Sequence, residues 1–258
     1  MNEKTQKLSV LTLVAVLSLG GLARAQTSPA IDQAAAALKA GNLPKAAAIL
    51  EPLTGADSKD AAAFHLLSQV RLAQKNTQGA VEQAEKATSL DATKADYFTQ
   101  LGMALGQRMG EVGFMQQGMM AGKLKGAFAK AVALNPNDIG GLMGLARYYS
   151  AAPAIAGGSV EKAREYAVRL QQVEPYLGAL ELGQIAANDG DFAVALEHYE
   201  AAAKLKPDSA SAQHQCGRML AKLGRKDEAR ARFEAALARN ANFQPAQKSL
   251  LELGAPAP

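Results

Sequence analysis

The chain has no tryptophan and one cysteine, and aromatic residues make up only 5% of its 258 positions. A single cysteine, Cys216, cannot close an internal disulfide, so stability has to come from packing. Beside Gly217 on an apolar helix face, Cys216 reads as a small core hydrophobe. So few aromatics leave little with which to stack nucleic-acid bases. The three histidines, His65, His198 and His214, stand far apart and share no metal-ligand spacing. There is no His-Glu-x-x-His, no Gly-x-Ser-x-Gly and no phosphate-cradling Gly-rich loop. Carboxylates are scattered, so no acid–base pair can be nominated. These absences argue against an enzyme, a resident cofactor or metal, and a nucleic-acid partner.

One long hydrophobic run is present, at the N-terminus. Lys4 and Lys7 precede an apolar stretch of 15 residues, Leu8 to Leu22, and Ala23-Arg24-Ala25 follows as a small-x-small sequence. This is the layout of a cleavable export signal, and the run is shorter than the roughly 20 residues needed to cross a bilayer. Residues 1–25 are therefore expected to be removed after Ala25. The mature chain would be periplasmic or secreted, with no integral membrane segment. Removing Lys4, Lys7, Arg24 and Glu3 lowers the formal charge from +4 to +2, which weakens any case for a polyanionic partner.

What remains is repetitive. In "GDFAVALEHYEAAAKLKPD" (190–208) a Gly-Asp turn leads into Ala195, Tyr199, Ala202 and Pro207, that is, Ala-x3-aromatic-x2-Ala-x4-Pro. Gly183 stands 12 residues before Ala195, in the apolar run "ALELGQIAA". Gly217, Ala229, Phe233 and Ala236 repeat the pattern 34 residues later. Weaker copies run upstream through Ala34/Ala46/Leu50, Ser68/Ala80/Ala84, Leu124/Phe128/Ala131/Pro136 and Ala163/Ala167/Leu170/Pro175.

The period and these residues resemble the tetratricopeptide repeat, a helix-turn-helix unit of about 34 residues. The resemblance covers nearly the whole mature chain and is strongest in the last two units. It implies an all-α, right-handed superhelix with a concave groove lined by the first helix of each unit. Six units are expected, at 27–60, 61–94, 95–138, 139–175, 176–209 and 210–243, with a capping helix at 244–254 and a frayed tail at 255–258. The residue types have a physical sense in such a stack. Small side chains let helices cross closely, a large one fills the hole between pairs, and Pro stops the second helix. Asp191 and Ser159 are candidate N-caps.

The fixed interval exposes two insertions. Gly102 precedes Leu124 by 22 residues and Ala146 precedes Ala163 by 17, where 12 is the norm. Both extra segments fall at the turn inside a pair, on one edge of adjacent units, where repeat proteins often carry binding loops. The first holds Met109, Phe114, Met115, Met119 and Met120. Three readings stand for it. The methionines pack against the "APAIA" loop of the next unit. Alternatively they form a deformable apolar surface for a partner, or their thioethers coordinate copper(I) in an exported protein.

Helical spacing places His65 and Gln69, then Thr99, Met103 and Gln107, on the inner face of the stack. Met143 and Arg147, Gln184 and Asn188, and finally His214, Arg218 and Lys222 continue that face. Of Tyr148 and Tyr149, one should be core and one groove. This lining is polar and turns cationic toward the C-terminus, which suits an extended peptide or an acidic segment. Members of the family that clamp a terminal carboxylate use a set of Lys, Asn and Arg. This chain carries Gln, Thr, His and Met on the equivalent faces, so that specificity does not transfer. The expectation is a non-catalytic scaffold of the cell envelope that binds a protein or peptide, with copper handling by the Met-rich tip as the alternative.

Overall fold

The structure, a computed structural model, describes residues 28–254. The expected export signal (1–25) and tail (255–258) lie outside the described residues. Within them the chain is helical throughout, with no strand, and runs as antiparallel pairs: α1 (Pro29–Lys39) with α2 (Leu43–Leu50), and α3 (Ala61–Ala73) with α4 (Thr77–Leu90). Next come α5 (Ala95–Met109) with α6 (Phe114–Leu134), and α7 (Ile139–Ala151) with α8 (Val160–Val173). Then α9 (Pro175–Asn188) pairs with α10 (Phe192–Leu205), α11 (Ala210–Lys222) with α12 (Lys226–Arg239), and α13 (Gln244–Gly254) closes the array. Each helix packs on its partner and on the next pair, which makes the molecule an α-solenoid.

Local chemistry sets the helix ends. The side chains of Asn42, Asp60, Asn76, Asp138, Ser159, Asp191 and Ser209 each accept a backbone N–H of the first turn, as N-caps do. The tight turns inside four pairs share one device. Gly41, Lys75, Gly190 and Gly224 take positive φ, between 62° and 84°. The next residue then donates back to the last turn of the first helix, as Asp191 N–H does to the Ala186 carbonyl at 2.9 Å. Lys75 is the only non-glycine among the described residues in this conformation.

Small residues carry the helix crossings. Ala34, Ala46, Ala80, Ala146, Ala163, Ala195 and Ala229 have no exposed surface. Ser68 holds one such position with its hydroxyl donating to the Ala80 carbonyl at 2.8 Å, while buried Gln100 of the next unit donates to the same hydroxyl at 3.0 Å. The large residues fill what remains. Phe128, Tyr199 and Phe233 are buried against Gly102, Gly183 and Gly217 of their own first helices. Burial pushes the Tyr199 hydroxyl up to about 12 and the Cys216 thiol up to about 11, so both stay neutral in the core.

The two insertions take different forms. The first lengthens α6 to 21 residues, against 14 for α4, so the α5–α6 hairpin rises about 10 Å above its neighbours. The second is a loop over residues 152–158 that holds one short 3-10 turn at Ala154–Ala156, pinned by the Tyr148 hydroxyl donating to the Ala156 carbonyl at 2.6 Å.

Candidate functional site

The expected groove residues lie on the first helices α3, α5, α7, α9 and α11, but not all remain available. His65 is largely buried, stacked on Tyr97 at 4.7 Å, with Nε2 2.8 Å from the Gln69 amide nitrogen. Its Nδ1 is buried without a hydrogen-bond partner, and burial holds the imidazole below its ordinary pKa. Thr99 donates to Asp138 at 2.6 Å and so ties α5 to the N-cap of α7. His214 is packed between Phe233 and Phe243, with Nε2 3.0 Å from the Ser249 hydroxyl of α13. The capping helix therefore covers the face expected to line the groove at His214.

Met103, Gln107, Met143, Arg147, Gln184 and Asn188 line two clefts. One, of about 410 Å³, runs between α7, α9 and α11. Its wall carries Arg147, Ser150, Gln184, Asn188, Ser211 and Gln215. The Gln184 amide donates to Asn188 at 2.7 Å, and Asn188 donates to the Ser150 hydroxyl at 3.1 Å, a chain of amides that can also serve a bound main chain. Arg147 forms an ion pair with Glu181, whose side chain is 7% exposed while that of Arg147 is 63% exposed. Glu181 was not among the sequence-derived residues, although it stands one period after Arg147. The second cleft, about 370 Å³, lies between α5 and α7 and takes in Met103, Gln107, Met143 and Arg147. Farther along, Arg218 and Lys222 stand exposed on α11 in a third cleft, of about 400 Å³, that they share with Ser249 and Glu252 of α13. Arg218 donates to Gln215 at 2.9 Å, and among the described residues neither cation is in an ion pair.

The Met-rich tip corrects one expectation. Phe114 (87% exposed), Met115 (82%) and Met119 (79%) do not pack on the next unit, and Ile155 of its loop is 99% exposed. The tip leans the other way, toward α4. Lys123 forms an ion pair with Glu85, and the Thr77 hydroxyl donates to Glu111. Met119, Met120 and Val112 line a cleft of about 270 Å³ with Val81 and Leu105. Toward the next unit, the Lys125 ammonium lies 5.6 Å from the Tyr148 ring centre and beside Gly157 of the loop. Met120 and Met109 pack against the core while Met115 stands in solvent, so the thioethers meet different surroundings. Tyr148 and Tyr149 are both half-buried and contact each other edge to face, with Tyr149 stacked on Tyr166. The expected division into one core and one groove tyrosine does not hold.

Tetratricopeptide-repeat family models match residues 31–95 and 186–253, together just over half of the chain. The unmatched middle contains both insertions. No curated protein matches the sequence. Among solved structures, PilW, described as a widely conserved type IV pilus biogenesis factor, superposes with a TM-score of 0.70 at 16% identity, over 86% of this chain and 96% of that one. PilF of Pseudomonas aeruginosa gives 0.62 at 17% identity, over 86% and 96%. A thermophilic tetratricopeptide-repeat protein of Thermus thermophilus gives 0.60 at 18% identity, over 75% and 98%. At such identities the likeness is one of fold. With repeat-model matches at both ends of the array and the helical-pair solenoid between them, the chain belongs to the tetratricopeptide-repeat family.

Proposed function

We propose that the protein is a non-catalytic scaffold that holds an extended segment of a partner protein in its concave groove. The observation that carries this is the cleft between α7, α9 and α11, where the side chains of Gln184, Asn188, Ser150 and Gln215 offer donors and acceptors on an open surface. Amides and hydroxyls in such a row match the alternating N–H and C=O groups of an extended peptide, and a rigid solenoid presents them without reordering. No group of three or more His, Cys, Asp or Glu side chains that could hold a metal occurs among the described residues. No described helix is long and apolar enough to cross a membrane.

The export signal read at residues 1–25 supports a place in the cell envelope for the mature chain. The test combines both points. Chain recovered from envelope fractions should begin at Gln26 by N-terminal sequencing. Captured partners should be lost from a Gln184→Arg/Asn188→Arg variant that keeps its melting temperature. Capture unchanged by those substitutions would remove the groove from the mechanism.

A further inference from the structure

The groove changes character along its length. Between α5 and α7, Gly102 and Gly144 leave the ring of Phe128 at the base of the 370 Å³ cleft, walled by Met103 and Met143. A Cβ on either glycine would stand 2.5 Å from that ring, so the glycines are what allow the ring to come so close to the groove floor. The next section, α7 to α9, is polar, with Arg147 held by Glu181 and the amides of Gln184 and Asn188 beside it. The last section, on α11, carries Arg218 and Lys222, which are in no ion pair among the described residues and share their cleft with one carboxylate, that of Glu252 on α13.

We propose that this order selects one kind of ligand: an extended peptide segment with a single bulky apolar side chain, seated between Met103 and Met143, and acidic residues over Arg218 and Lys222. The proposal rests on the groove-binding reading and specifies its ligand. Beside Gln107 and Arg147 the slot offers thioether, ring and backbone, and thioethers adapt to differently shaped apolar groups, so it selects for apolarity rather than for one residue type. A charged side chain there would lose its water against Met103, Met143 and Phe128, and the one cation in the lining, Arg147, is already paired with Glu181. At the other end, two exposed cations outnumber the single carboxylate of their cleft, Glu252, and so favour an acidic segment over a basic one. Neighbouring helices pack about 8–10 Å apart, so α11 lies on the order of 20–25 Å from the slot. An extended chain at about 3.3 Å per residue covers that in roughly six to eight residues.

The test is selection from a random dodecapeptide phage library on the full-length chain and three folded variants, checked by circular dichroism. The wild type should enrich peptides with a bulky apolar residue about six to eight positions from an Asp or Glu pair. Met103→Gln/Met143→Gln should erase the apolar preference alone, and Arg218→Gln/Lys222→Gln the acidic preference alone. In fluorescence anisotropy with a selected peptide, replacing its apolar anchor by Ser should weaken binding by about tenfold or more. This arm does not depend on how any variant folds. Enriched peptides that lack the spaced pattern, or a pattern indifferent to those variants, overturn the proposal. The third variant, Gln184→Arg/Asn188→Arg, separates the two levels. If it loses peptides that show no such spacing, groove binding stands and the ligand assignment falls. If it enriches the same peptides as the wild type, or the wild type enriches none, both fall.

Discussion

Gly217 of α11 and the ring of Phe233 of α12 lie so close that a methyl group on the glycine would stand 2.5 Å from the ring. One repeat earlier, Gly183 and Tyr199 are in the same relationship at 2.7 Å. In an exposed helix, Gly→Ala stabilises by up to about 1 kcal/mol through helix propensity. Here the added carbon overpacks a core, which costs about 1–3 kcal/mol. Gly217→Ala should therefore destabilise the protein in urea unfolding, and Phe233→Ala by more, about 3–5 kcal/mol. In a Phe233→Leu background Gly217→Ala should cost less, because the ring that resists it is gone. A rise in melting temperature on Gly217→Ala alone would contradict the packing.

That contact explains what the sequence could reveal. The need for a small residue at a helix crossing is steric and local, so Gly183, Ala195, Gly217 and Ala229 announce it in phase, and Asp191 and Ser159 announce their caps. Other features depend on what a distant element covers. His214 sits on the inner face by spacing, yet α13 folds over it, and nothing within α11 signals that. Thr99 is on the groove face too, but Asp138 of the next unit takes its hydroxyl. The tip's lean toward α4 follows from the rotational phase of Met119 and Met120 along a helix two turns longer than its neighbours, a phase that the insertion hides. Glu181 was within reach: a charge one period from Arg147 on the same face is a candidate cross-unit pair.

The ion pair of Arg147 with Glu181 joins an exposed cation to a nearly buried carboxylate, so its two ends are not equivalent. Removing Arg147 leaves the Glu181 charge without a partner in the groove wall. Arg147→Ala should destabilise by about 1–3 kcal/mol, below the range for fully buried pairs because one partner meets water. Arg147→Ala/Glu181→Gln should recover much of that loss, since no buried charge remains. Thermal or urea unfolding of the four-member cycle measures the coupling. A double variant as unstable as the sum of the singles would mean the two charges act independently.

Burial lowers the pKa of both His65 and His214, with Arg218 lowering His214 further and Asp96 partly opposing the shift at His65. Folding favours the neutral rings, while the unfolded chain takes up protons near the ordinary value of 6.5. Stability is thus fully present above that value and declines as pH falls through it toward the lowered folded values. Melting temperature should drop between pH 7.5 and 5.5. The drop should be shallower in a His65→Gln/His214→Gln variant, even though that variant begins less stable. Parallel curves for the two proteins would show that other groups govern the acid side.

The hairpin tip allows a sharper comparison, because adjacent methionines differ so much in surroundings. Met119 is 79% exposed and Met120 packs against the core that includes Leu105 and Val81. Side chains that already meet water change little on folding, so Phe114→Ser, Met115→Gln and Met119→Gln together should shift the melting temperature by no more than about 2 °C. Met120→Gln places an amide beside Leu105 and Val81 and should cost about 1–2 kcal/mol. Circular dichroism melts of the two variants decide the matter. If the triple variant is the less stable, the tip is packed in solution and its apolar residues belong to the core. If Met120→Gln alone is costly, Phe114, Met115 and Met119 are free to serve a partner, and their substitution should alter binding while leaving the solenoid intact.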